Sequence, residues 1–138
     1  MGYLLDTCVF AEYSNVRPRQ QVINWVDEQS QESLYISVVT IGEIEKGIER
    51  MPVSKKRSGL ESMLESLILR FDTRVLPLST STLRRWGKLT GGLESRGRPL
   101  PVIDSLIAAT ALEHGLTVVT RNTNDFVVAN VDVLNIWE

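Results

Sequence analysis

The chain has 138 residues, of which 43% are hydrophobic and 23% charged, a length and balance that fit one globular domain and exclude a disordered protein. Fifteen basic residues against seventeen acidic ones give a formal charge of −2, so no global positive field draws the chain to nucleic acid. The single cysteine, Cys8, excludes an internal disulfide and a thiolate metal cage; with no apolar run of membrane-spanning length and no basic leader ahead of Asp6, the expected setting is a reducing cytoplasm with no membrane contact.

Tyr3-Leu4-Leu5-Asp6 is an apolar run ending on an acid and reads as a first buried strand, followed by a helical stretch through Tyr13. Pro18 stands just ahead of a short helix in which Val22, Ile23 and Val26 share a face. Leu34 to Val39 is rich in β-branched residues and predicts a second strand. From Thr40 to Met51 the pattern turns helical, with Ile41, Ile44 and Ile48 at spacings of three and four, until Pro52 ends it. Leu60, Met63, Leu64, Leu67, Ile68 and Phe71 fall on one stripe of a further helix, and this stripe is packing. Val75 to Leu78 contains Pro77 and predicts a short edge strand. A helix from about Thr82 to Leu93 leads to a proline loop, Arg96 to Pro101, and then to a helix beginning near Val102 or Ile103 and closed by Gly115. Leu116 to Thr120 predicts a strand, Arg121 to Asp125 a polar loop, and Val131 to Trp137 a last alternating strand. Strands alternating with helices predict an α/β sandwich: a mostly parallel sheet with helices on both faces.

Ligands of open parallel sheets sit at the carboxyl ends of the strands, where the strand order reverses. Four acids map to that edge: Asp6 at the end of the first strand, Glu43 in the first turn after the second, Asp104 in the first turn after the proline loop, and Asp125 after the fourth strand. Each has a local role open to it. Thr40-Ile41-Gly42-Glu43 matches a capping box, Asp6 and Asp104 suit a cap and a helix dipole, and Asp125 suits a turn. Together they point elsewhere, because carboxylates about 4 Å apart repel by roughly 4 kcal/mol per pair at an effective dielectric near 20. A divalent cation relieves that repulsion. An oxygen-only donor set favours Mg²⁺ or Mn²⁺, and the chemistry that follows is metal-assisted phosphodiester hydrolysis.

Leu5-Asp6-Thr7, Thr40-Ile41-Gly42-Glu43-Ile44 with Gly47, the run from Pro101 to Ala111 around Asp104, and Thr120-Arg121-Asn122 leading to Asp125-Phe126 together resemble the PIN-domain ribonucleases. The likeness is greatest to the VapC-type toxins of bacterial toxin–antitoxin pairs, in their FitB-like branch. The resemblance spans nearly the whole chain and implies a single PIN-like domain over 1–138, a three-layer sandwich with a five-stranded sheet, and Mg²⁺-dependent cleavage of RNA with Mn²⁺ as substitute. It also implies a homodimer and a small cognate antitoxin protein. Carried onto this sequence, Asp6, Glu43, Asp104 and Asp125 are the catalytic acids, and the first three hold the metal. Thr7, Asn122 and Arg121 support them, the last facing phosphate. Asn122 stands where family members often carry an acid, so Asn122 and Asp125 share the fourth place; Cys8 stands where many carry Asn.

Clusters such as Lys55-Lys56-Arg57, Arg84-Arg85 with Lys88, and Arg96 with Arg98 read singly as solvated surface, and as contacts for the RNA backbone if RNA is the substrate. His114 reads as a partner of its helix's C-terminal dipole. Trp25, Trp86 and Trp137 read as core or dimer surface. The alternative function is a catalytically inactive PIN-like protein-interaction module that meets a partner through the Leu60 to Phe71 helix. An aspartyl-phosphate enzyme is disfavoured, because Cys8 occupies the place where a second Asp is wanted.

Overall fold

The first strand, β1 (Tyr3–Leu5), is too short and too apolar to stand alone, and it lies at the centre of a five-stranded sheet of order β3-β2-β1-β4-β5. The computed structural model describes residues 2–138. Its other strands are β2 (Leu34–Ser37), β3 (Val75–Leu76), β4 (Thr117–Val119) and β5 (Val133–Leu134). Every pairing is parallel, with Tyr3 opposite Leu34 on one side and Thr117 on the other. β3 is an edge strand, as Pro77 requires.

Among the described residues seven α-helices connect the strands: α1 (Thr7–Ser14), α2 (Gln20–Glu28), α3 (Val38–Glu49), α4 (Lys55–Phe71), α5 (Thr80–Ser95), α6 (Val102–His114) and α7 (Asn124–Val128). Side chains alternate across each strand, so neighbours enter opposite faces of the sheet. Leu4 and Val118 join one core with Ile107, Ala108, Ala111 and Phe126. Leu5 and Val119 join the other, with Val9, Phe10, Val22, Phe71 and Trp137. Both faces are therefore covered, and the expected three-layer α/β architecture is the one observed.

Several boundaries differ from the sequence reading. Val38 and Val39 belong to α3 rather than to the second strand, because the Ser37 hydroxyl accepts from the Val39 N–H at 3.0 Å and caps the helix there. α4 starts at Lys55, capped by Ser54, whose Oγ accepts from the Arg57 N–H at 3.1 Å; its first turn is exposed and polar and carries no apolar period. β5 covers only Val133–Leu134. Gly115 ends α6 with φ +64°, the left-handed conformation in which a glycine carries no steric cost.

The three tryptophans are structural. Trp137 is buried and donates its indole N–H to Glu12 at 2.7 Å, and Trp86 donates to Ser105 at 2.8 Å. Trp25 packs edge-on against Tyr3. His114 is exposed in the last turn of α6.

Candidate active site

In the order β3-β2-β1-β4-β5 the chain builds outward from β1 to β3 and then returns to the other side of β1 with β4, so the topology reverses between β1 and β4. Asp6 stands at that point, directly after β1, and is 8% exposed. It N-caps α1: its Oδ1 accepts from the Thr7 N–H at 2.8 Å. Its Oδ2 accepts from the Thr120 hydroxyl, also at 2.8 Å. Thr120 follows β4 and is fully buried, and its Oγ1 accepts in turn from the Asn122 N–H at 3.1 Å. Both oxygens of Asp6 are thus oriented by donors that stand just beyond the ends of β1 and β4, the two strands that flank the reversal.

Glu43 reaches the same edge from α3. The Thr7 hydroxyl donates to its Oε1. The capping-box reading of Glu43 is overturned: Ser37 is the cap, Thr40 lies inside the helix, and Glu43 stands in the second turn rather than the first. Thr40 is buried, and its hydroxyl has no hydrogen-bond partner among the described residues. Asp104 does lie in the first turn of α6. Asp125 lies in the first turn of α7, not in a loop.

These acids sense one another. Burial first, then a hydrogen bond shared with Asp125 and the charges of Asp6, Asp125 and Glu43, push the Asp104 carboxyl up to about 7. Asp125 is therefore drawn into the cluster, whereas the Asn122 side chain is exposed and enters only through its backbone N–H. Arg121 is exposed on the same loop, and its N–H donates to the Cys8 sulfur at 3.5 Å. Burial, with the Asp6 carboxylate adding to it, pushes the Cys8 thiol up, so it is a protonated neighbour rather than a nucleophile.

Among the described residues no group of three or more Asp, Glu, His or Cys side chains is placed to hold a metal ion as it stands. The acids instead stand as a buried Asp6, an Asp104–Asp125 pair and a Glu43 tied to Thr7. This open set of hard oxygen donors suits an ion that keeps water ligands and shares its shell with phosphate, which is the preference of Mg²⁺ rather than of zinc. Two supports lie inside motifs quoted from the sequence and were given no role there. Thr120 is one. Ser105 is the other: it accepts from the Trp86 indole and donates to the Val102 carbonyl at 2.6 Å, fixing the first turn of α6 beside Asp104. A hydroxyl at the end of a β-branched strand is the only signal that pointed to the first.

The PIN domain model matches residues 3–131. The chain belongs to the PIN domain family. This PIN chain is 36% identical to "VapC ribonuclease Y4jK" of Sinorhizobium fredii, over 98% of its own length and 97% of the relative's. It is 35% identical to "Toxin FitB" of Neisseria gonorrhoeae, over 97% of each. Among solved structures, the FitAcB complex of Neisseria gonorrhoeae contains a chain that superposes with a TM-score of 0.93 at 34% identity, covering 99% of both chains. Among the described residues of the PIN chain no helix is long and apolar enough to cross a membrane.

Proposed function

We propose that this PIN chain is a divalent-metal-dependent endoribonuclease and the toxic member of a toxin–antitoxin pair. The observation that carries the reading is the accumulation of Asp6, Glu43, Asp104 and Asp125 at the sheet reversal, where burial first and then the neighbouring acids push the Asp104 carboxyl up to about 7. Its relatives named as a VapC ribonuclease and a FitB toxin, and the FitAcB complex, support the same reading.

Asp6, Glu43 and Asp104 would hold Mg²⁺, or Mn²⁺ in its place, with Asp125 as the fourth catalytic acid. When bound, the ion supplies Lewis acidity toward a phosphodiester and relieves the repulsion among the acids. The chain's own residues do the positioning. Thr7 N–H and Thr120 hydroxyl fix the two oxygens of Asp6, and the Thr7 hydroxyl fixes Glu43. Asp125 stands beside Asp104, whose burial and acidic neighbours favour its protonated form. Arg121, exposed on the loop after β4, faces the phosphate, and Asn122 completes that loop. A cytoplasmic location, a homodimer and a small antitoxin that covers the site complete the proposal.

Induced expression in a bacterial host tests it. The parent chain arrests growth and cuts cellular RNA, whereas Asp6→Asn does neither. Growth arrest by Asp6→Asn equal to the parent's, or no RNA cleavage by an expressed and folded parent, would contradict the reading.

A further inference from the structure

Of the four acids, Glu43 is the one that α3 carries. Continuing along that helix from Glu43, Lys46 follows at i+3, Gly47 at i+4 and the C-terminal Arg50 at i+7, so all four fall on one side. A cleft of about 510 Å³ runs here, lined by Thr7, Glu43, Lys46, Gly47 and Arg50 with Ile103 of α6 across from them. A second recess of about 280 Å³ opens on the other side and shares Thr7, Glu43 and Gly47 with the first. A side chain at position 47 would stand between the two, and a Cβ there meets nothing within 4 Å. Glycine in a helix interior is otherwise unfavourable. Position 47 borders both recesses, which together make a trough beside Glu43.

Lys46 and Arg50 are exposed, and among the described residues neither side chain has an ion-pair or hydrogen-bond partner. Arg57, by contrast, is engaged by Glu49, Glu61 and the Met51 carbonyl. The contiguous basic cluster at Arg84, Arg85 and Lys88 lines a separate groove with Glu113, at the far end of α6 from Asp104, and Arg85 is paired there to Glu113 at 3.0 Å. Resting on the RNA-cleaving reading, we infer that Lys46 and Arg50 form the cationic arm that grips the RNA backbone flanking the scissile bond, along the trough that Gly47 borders. Two free cations one turn apart beside a cluster of acids match a polyanion that must be led past repelling carboxylates. A neutral or basic partner would leave both cations uncompensated, whereas the phosphates of an RNA strand neutralise them.

Steady-state cleavage of an unstructured single-stranded RNA, followed across a salt titration, tests the arm. Lys46→Ala/Arg50→Ala raises KM roughly tenfold with kcat within about twofold, and flattens the dependence of log KM on log salt by about 1.4, the release expected for two single-strand phosphates. Loss of a helix-dipole role alone would lower Tm slightly and leave that slope untouched. Gly47→Leu raises Tm through helix propensity while raising KM, so stability and activity move in opposite directions. Unchanged KM and slope in Lys46→Ala/Arg50→Ala, against a parent that cleaves, overturn the arm and leave the nuclease reading intact; the same result with lost antitoxin binding reassigns the trough to the protein partner. A parent that cleaves no RNA overturns the nuclease reading and the arm with it.

Discussion

Asp104 carries an acid's charge into a place that resists it, and the consequence for stability has a definite sign. Its folded value of about 7 lies above the ordinary 3.8, so the folded chain retains a proton that the unfolded chain releases between those two values. Stability of the metal-free protein therefore falls as pH rises through that window. In EDTA, Asp104→Asn removes this contribution to the slope, and at pH 8 its Tm equals or exceeds the parent's; thermal melts at pH 5 and pH 8 measure it. A variant clearly less stable at pH 8 would assign Asp104 to the helix dipole instead. Thr120 acts in the opposite sense, since its hydroxyl is fully buried and satisfies Asp6. Thr120→Val keeps the shape and strands the carboxylate oxygen, costing about 1–3 kcal/mol. Cleavage falls with it, whereas Thr120→Ser retains both, as denaturant melts and RNA assays on the two variants would show.

Elements place these residues, and most of the elements are legible in the sequence. The strand cores at Leu4-Leu5, Leu34 to Ile36 and Val118-Val119 are short runs of residues buried on both faces, and such runs declare themselves. The β2–α3 junction does not. Val38, Val39 and Ile41 have strand-like propensity, and the helix begins among them because Ser37 caps it and because Ile41 and Ile44 have a core to enter. That shift of two residues is what made Glu43 resemble a capping-box acid. It also yields a separable pair of effects. Ser37→Ala costs about 1 kcal/mol of stability through the lost cap. Glu43→Gln leaves stability within about 0.5 kcal/mol of the parent, since its carboxylate caps nothing. The same change removes RNA cleavage, because a neutral amide is a poor partner for a hard cation. Parental cleavage by Glu43→Gln would exclude it from the site. The pairing of Asp125 with Asp104 was not legible, because it depends on α7, a helix of five residues with no periodic signal.

At the scale of the molecule, the two ends of the fold are fastened around Glu12. This buried carboxylate accepts from the Arg19 N–H at 2.9 Å and from the Trp137 indole, which hold it below the usual carboxylate range, while Gln21 donates to the Ile136 carbonyl at 3.0 Å. Its contribution is present above the unfolded carboxylate's ordinary value and is lost as pH falls through the depressed one, the reverse of Asp104. Trp137→Phe lowers stability by about 1–3 kcal/mol at neutral pH without a direct effect on the acids, measured by denaturant melts alongside RNA cleavage. The fastening shares no hydrogen bond with the acids at the charged edge, although the Arg121 guanidinium of the loop after β4 adds its charge at Glu12. The most direct measurement of what that edge does is cleavage of single-stranded RNA by the purified, antitoxin-free chain across a Mg²⁺ titration, with EDTA and Asp6→Asn as controls. Cleavage that rises with Mg²⁺ and vanishes in EDTA and in Asp6→Asn is the predicted result; cleavage that persists undiminished in EDTA, or at the parental rate in Asp6→Asn, would contradict it.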